Sequence, residues 1–262
     1  MKIIKFLLKL FRKKERKTTP NVFYNGALPD EEDTRDYVAS IGETEDIQSV
    51  ILDEYCPEIK QQGTAQSCTA FSVVSLYETE MKINGLDVVE GSEQYNYYIS
   101  RGLSGLFPKD EGSFLREACK VLKNFGNCPE KLMPYKDNDI NYEPGIFTHS
   151  FAKFFKISEY QRIWSVPGIK DSLKERHPVA LAVPITRKWM NLYEKTIPYS
   201  LDDSYIGGHA ILITGIDETR KAFRVHNSWG KNWSDKGYSW LPYDYVYQVP
   251  WFNAWRIVLK VM

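Results

Sequence analysis

This 262-residue chain has four cysteines and four histidines, and one of each stands in a setting suited to covalent chemistry. Cys68 opens an apolar run with helical spacing, residues 68–83 (CTAFSVVSLYETEMKI), after the loop Gln61-Gln62-Gly63-Thr64-Ala65-Gln66-Ser67. A thiol at a helix N-terminus feels the positive end of the dipole, which favours the nucleophilic thiolate. His209 follows Gly207-Gly208 and leads into the β-rich run 210–216 (AILITGI). The glycines let the backbone turn closely, and a strand would hold the imidazole in one direction. Asn227 stands in His226-Asn227-Ser228-Trp229-Gly230, at the end of a further short strand, 222–226. Two adjacent antiparallel strands can bring its carboxamide beside His209 and fix the imidazole tautomer. Trp229, next to that contact, is placed to keep water away from it.

The other thiols and imidazoles read as structural. Cys119 lies on the apolar side of a helical stretch and is most simply a small buried hydrophobe. Cys56 and Cys128 each precede proline. No C-x-x-C pair and no histidine cluster with zinc-ligand spacing occurs, so neither a metal nor a cofactor is expected. His226 adjoins Asn227, but strand alternation sends its side chain to the opposite face. His149 and His177 lie in unpatterned contexts.

Stepping outward, the elements that must hold these residues are helices first and strands later. The first helix stops at Asn84-Gly85, and a second over 113–125 stops at Gly126. A short helix over 168–176 precedes Pro178 and the apolar run 179–185. The strand pair 210–216 and 222–226 follows, joined by a turn at 217–221. Segregated helices and strands predict an α+β body. Its helical half would span roughly residues 51–150 and its β half roughly 151–262. Residues 28–36 (LPDEEDTRD) form an acidic, turn-rich lead-in.

Three motifs in this order resemble the papain-like cysteine peptidases: QGTAQSCTAFS (62–72), GGHAILITGID (207–217), and NSWG (227–230) with its following NW and KGY. In that family the His and Asn follow the nucleophile by about 130–150 residues; here the separations are 141 and 159. The resemblance implies a two-lobed fold, with a helical half facing an antiparallel β-barrel-like half. It also implies catalysis by Cys68, His209 and Asn227, and an oxyanion hole made by the Gln62 side chain and the Cys68 backbone N–H. Gln66, Gly112, Ser113, Ala182 and Ala210 would line the substrate pocket. The partner so implied is a peptide or protein substrate.

The sequence also departs from the family pattern. Ala65 stands where the family has a cysteine, Gln66 where it has a glycine, and Thr69 where it has a tryptophan, so the disulfide beside the nucleophile cannot form. These changes, with Leu241-Pro242-Tyr243-Asp244-Tyr245, resemble the bacterial and phage-type members. They favour a cytoplasmic or envelope-associated setting over secretion. A conventional inhibitory pro-domain is not expected, although residues 21–50 could cover the cleft or strap the back of the domain. The rival functional readings are an acyl-transferase on the same fold and a catalytically silent structural or interaction protein.

Composition excludes other classes. With 43% hydrophobic and 14% aromatic residues the chain is not intrinsically disordered. The formal net charge is zero, which argues against a nucleic-acid partner, yet it divides unevenly. Residues 1–20 hold eight basic side chains and one acid, a charge of +7, so residues 21–262 carry −7. In the segment MKIIKFLLKLFR, Lys2, Lys5, Lys9 and Arg12 share one narrow helical arc, and the opposite side is apolar. Such a tail can lie on an anionic membrane surface or dock on a protein partner. Lys5 and Lys9 interrupt what would be the apolar core of a secretory signal. If the tail is an anchor, the full chain binds anionic liposomes, salt weakens that binding, and deletion of residues 1–17 abolishes it. Equal binding by the shortened chain would rule out an anchor.

Overall fold

The run 68–83 forms helix α1 (Cys68–Ile83), in which 14 of 16 residues are buried. A helix buried on every side is a core element and not an amphipathic surface helix. Its polar side chains are satisfied internally: Ser72 Oγ donates to the Ile211 carbonyl at 2.7 Å, and Thr79 Oγ1 to the Ser75 carbonyl at 2.7 Å. It ends where expected, with Asn84 N–H returning to the Glu80 carbonyl and Gly85 at φ +67°. The computed structural model that shows this describes residues 26–39, 48–190, 192–199 and 204–259. The basic tail therefore lies outside the described residues.

Around α1 stand α2 (Glu93–Ser104) and α3 (Leu115–Asn124), with α4 (Ile146–Ala152) nearby. Lys60 ties α1 to α2, its Nζ lying 2.8 Å from Glu93, 3.3 Å from Glu90 and 3.4 Å from Glu78. Glu78 and Glu93 are buried, so losing the shared cation would cost about 3–5 kcal/mol.

The other face of α1 packs on an antiparallel sheet. Its strands are β2 (Ser49–Ile51), β4 (Ile157–Ile163), β5 (Val179–Thr186), β6 (Tyr205–Asp217), β7 (Ala222–His226), β8 (Tyr238–Pro242) and β9 (Asn253–Leu259). The order is β4-β9-β5-β6-β7-β8, with β2 also on β6. Every residue of β5 is buried, as expected for a short apolar run at the centre of a sheet. The helix expected near 168–176 is α5 (Val166–Lys174), and α6 (Tyr243–Gln248) follows β8. The fold is α+β and papain-like. The β half is an open sheet among the described residues: no pairing joins β4 to β8, so the barrel-like closure is not made.

A two-stranded parallel pairing completes the architecture. β1 (Ala27–Leu28) lies beside β3 (Ser113–Phe114) at the start of α3. The chain then runs to the edge of the sheet, where Val38 forms a parallel bridge with Arg162 of the edge strand β4. Residues 26–39 thus form a strap over the seam between helices and sheet.

Candidate active site

Sheet register places the imidazole. Val183 of β5 pairs with His209 and Ala182 with Ala210. On the other side of β6, Leu212 pairs with His226, so Asn227 leaves β7 level with the His209 end of β6. His209 Nε2 lies 2.8 Å from Asn227 Oδ1. That oxygen also accepts the Ser228 N–H at 2.8 Å. A backbone amide can only donate, so the oxygen of the Asn227 carboxamide faces the ring and Nε2 carries the hydrogen. Nδ1 is then the basic nitrogen. Trp229 stacks on the imidazole with centroids 4.3 Å apart and 27° between planes, and Trp189 meets it edge-on at 6.3 Å. Trp229 thus covers one face of the His209 ring.

Cys68 is the first residue of α1, after Ser67 at the N-cap. Its sulfur accepts the Ala210 N–H at 3.4 Å, so the residue following His209 touches the thiol. The amides of Thr69 and of Cys68 itself also stabilise the sulfur's charged form. Burial outweighs these donors and, with a smaller contribution from Asp110, pushes the thiol up to about 12. Burial likewise pulls His209 down to about 4, against the opposing pull of Asn227. Both groups are therefore neutral around pH 7 in this state.

Gln62 is buried and held from four directions. Its Nε2 donates to the Ala65 carbonyl at 2.9 Å, and its Oε1 accepts from Ser228 Oγ at 2.7 Å. Its N–H donates to the Ser228 carbonyl at 2.8 Å, and Tyr135 Oη donates to its carbonyl at 2.7 Å. Because the tyrosine hydrogen is used there, Ser67 Oγ donates to Tyr135 Oη at 2.6 Å. One hydrogen of the Gln62 amide meets the Ala65 carbonyl. Ser228 thus links the loop before the thiol to the loop after β7. Asp110 accepts the Gln66 N–H at 3.1 Å and the Tyr97 hydroxyl at 2.5 Å, fixing the same loop from the helical side. Sequence reading missed Tyr135, Ser228 and Asp110 as supports. Ser228 lay inside the quoted NSWG motif and Asp110 two residues before Gly112, but Tyr135 carries no local signal.

The remaining thiols and imidazoles stay apart from this centre. No disulfide links the four cysteines. Cys119 and Cys128 are buried in hydrophobic clusters. His226 Nε2 pairs with the Pro57 carbonyl at 3.1 Å, His149 with the Tyr95 hydroxyl at 3.0 Å, and His177 with Glu80 at 2.9 Å.

Four of the expected pocket residues surround one place, and the strap fills it. Ala27 is fully buried in the same cluster as Cys68, Ala182 and Ala210. Ser113 N–H donates to the Gly26 carbonyl at 3.0 Å, while Gly112 and Gly208 leave room for the strap backbone where a Cβ would collide. Gly26, at φ +96°, lies so close to the thiol that a Cβ there would stand 2.5 Å from the sulfur. Gln66, placed by sequence on the cleft floor, presents its carbonyl to the same glycine.

The amide that follows the asparagine-bound His209 thus donates to the sulfur of a thiol that opens a helix. The profile of the papain family cysteine proteases matches residues 44–248, and the chain belongs to that family. An uncharacterized peptidase C1-like protein of Acanthamoeba polyphaga mimivirus is 31% identical over 211 residues, covering 75% of this chain and 68% of that protein. Cathepsin S of Bos taurus is 25% identical over 69% of this chain, which spans only 55% of the cathepsin. Among solved structures, xylellain, a cysteine protease from Xylella fastidiosa, is 27% identical with a TM-score of 0.83. The match covers 95% of this chain and all of that one.

The strap's contact with the sulfur makes a pH prediction. With the strap seated, alkylation of Cys68 by iodoacetamide should be slow at neutral pH and rise only as pH approaches the raised thiol value of about 12. Gly26→Ala, which forces the strap off the sulfur, should admit water and the reagent. Alkylation at pH 7 should then rise about tenfold or more, as expected for a thiol returning toward its ordinary range. Superimposable pH–rate profiles would show that the strap does not control the thiol.

Proposed function

We propose that the chain is a cysteine peptidase that cleaves peptide bonds through a thioester acyl-enzyme, and that it is latent while the strap is seated. The observation that carries this reading is the contact of His209 Nε2 with the Asn227 carboxamide oxygen, which assigns the hydrogen to Nε2. With Nε2–H committed to Asn227, Nδ1 is available to exchange a proton with a nucleophile. The neighbouring residue Ala210 already touches the only thiol positioned at a helix start.

The steps follow from this placement. Once the cleft is open, Nδ1 takes the thiol proton and Cys68 becomes the nucleophile. The sulfur attacks the substrate carbonyl carbon, and the electron pair of the C=O bond moves onto oxygen. The second Gln62 amide hydrogen and the Cys68 N–H are the donors for that oxyanion; a single such donor is worth about 3–4 kcal/mol in comparable sites. The C–N bond breaks as imidazolium gives its proton to the leaving amine, and a thioester remains. Water, deprotonated by Nδ1, then releases the acid and restores the thiol. Asn227 is a positioning residue and Trp229 a shield.

The neutral state of both groups favours a second reading, a silent site kept for its fold. An active-site-directed epoxide or fluoromethylketone decides between them. On the full chain and on Gly26→Ala, mass spectrometry should find the label on Cys68 and not on Cys119. His209→Ala should abolish it, and Asn227→Ala should slow turnover, with general acid–base catalysis worth about 10²–10⁴-fold as the scale. A folded Gly26→Ala protein whose Cys68 stays unlabelled from about pH 5 to 8 would support the silent reading instead.

A further inference from the structure

The strap is held by two acids meeting two bases, and the division is strict: both acids belong to the strap and both bases to the body. Asp30 has a side-chain exposure of 0% and stands 3.3 Å from Arg162 Nη1. Its carboxylate also accepts Trp255 Nε1–H at 2.9 Å and, with both oxygens at 3.3 Å, the Arg116 N–H in the first turn of α3. Arg162 Nη2 donates to Asn253 Oδ1 at 3.3 Å, and that oxygen accepts the Asp30 N–H at 3.0 Å. Asp36 pairs with Arg116 at 2.6 Å. The Nε atoms of Arg116 and Arg162 are buried without a hydrogen-bond partner. The body's own acid nearby, Glu117, pairs with Lys120 at 3.2 Å.

We propose that the pocket now filled by Asp30 is a carboxylate-binding subsite of the cleft, and that an acidic side chain of the substrate replaces Asp30 there when the strap leaves. The proposal rests on the peptidase reading and adds substrate selection to it. Withdrawing the strap removes Asp30 and Asp36 together, so Arg162 loses its ion-pair partner and Arg116 keeps only the neighbouring Glu117. A ligand that brings its own carboxylate restores the lost pair and so displaces the strap most readily. The donor set suits a carboxylate: an indole N–H, a helix-start amide and an arginine converge on it. The pocket is also within reach. An open groove of about 520 Å³, lined in part by Asp30, Arg162, Trp164, Trp251 and Asn253, leads to it from outside. Asp30 is four residues from Gly26, the residue at the thiol, a span of at most about 14 Å of extended chain. A bound peptide can therefore occupy the thiol and this pocket at once. The acid need not arrive on a partner of any special fold.

The test uses quenched fluorogenic peptides carrying Asp or Asn at each of the second to fifth residues on either side of the scissile bond. They are assayed on the full chain and on Gly26→Ala. At one position Asp should raise kcat/KM over Asn by about tenfold or more, as a buried charge-assisted contact does. Arg162→Met should bring that ratio close to one, while Arg162→Lys should keep part of it as a point charge. Because Arg162→Met can fail to fold, Trp255→Phe is the second variant; it keeps an aromatic ring, removes the indole N–H donor, and should lower the ratio severalfold. Turnover with no preference for Asp at any position overturns the subsite and leaves the peptidase reading standing. A preference untouched by both variants also overturns it. No turnover of any peptide, with Cys68 unlabelled, overturns the peptidase reading itself and the subsite with it.

Discussion

The contact on which the site's chemistry depends is the one between the backbone of Gly26 and the sulfur of Cys68. A thiol and an imidazole can share a proton as an ion pair only if the surroundings tolerate two charges. Here the strap takes that tolerance away. The helix start and three backbone amides favour a thiolate, and Asn227 favours an imidazolium, yet burial outweighs them at both groups. The same scaffold that disfavours charge when covered is arranged to support it when opened. The proposed latency therefore needs no distortion of the His209–Asn227 pair.

What covers the site also explains several residues that would otherwise look incidental. Gly112 and Gly208 make room for the strap backbone, while Ala182 and Ala210 leave a recess that Ala27 fills. Asp30 and Asp36 secure the far end against Arg116 and Arg162. The strap's acids are also part of why residues 21–262 are acidic as a whole. Ser228 serves both halves of the site. Its amide fixes the orientation of Asn227, and its hydroxyl fixes Gln62, so the placement of the Gln62 amide and the tautomer of His209 are set by one residue.

The family and the elements that carry the candidate site were legible in the sequence because their signals are local. A helix that starts at a cysteine, a glycine pair before a histidine, and an Asn-Ser-Trp-Gly turn each depend on a few adjacent residues. The first helix is found as expected, and the second differs only in that Ser113–Phe114 form a strand before it. Other elements gave no such signal. Helix α2 buries Tyr95, Asn96, Tyr97 and Ser100, so its inner face does not have the aliphatic spacing by which helices are recognised. Strand β4 (ISEYQRI) mixes both kinds of residue. The strap was the hardest to foresee. Its pairing with β3 is two residues long and far apart in sequence. The acidic stretch 28–36 reads as a solvated lead-in, yet the side chain of Asp30 within it is wholly buried. Only the distant arginines of α3 and β4 make that burial possible.

The most direct measurement is the hydrolysis of a peptide substrate by the purified full chain, by Gly26→Ala and by the double variant Gly26→Ala/Cys68→Ala. If Cys68 is the nucleophile and the strap is its cover, Gly26→Ala should exceed the full chain by about tenfold or more, as when a competent state ceases to be a minor one. The double variant should show no turnover. Hydrolysis that persists without Cys68, or none at all once the strap is displaced in a folded protein, would contradict both.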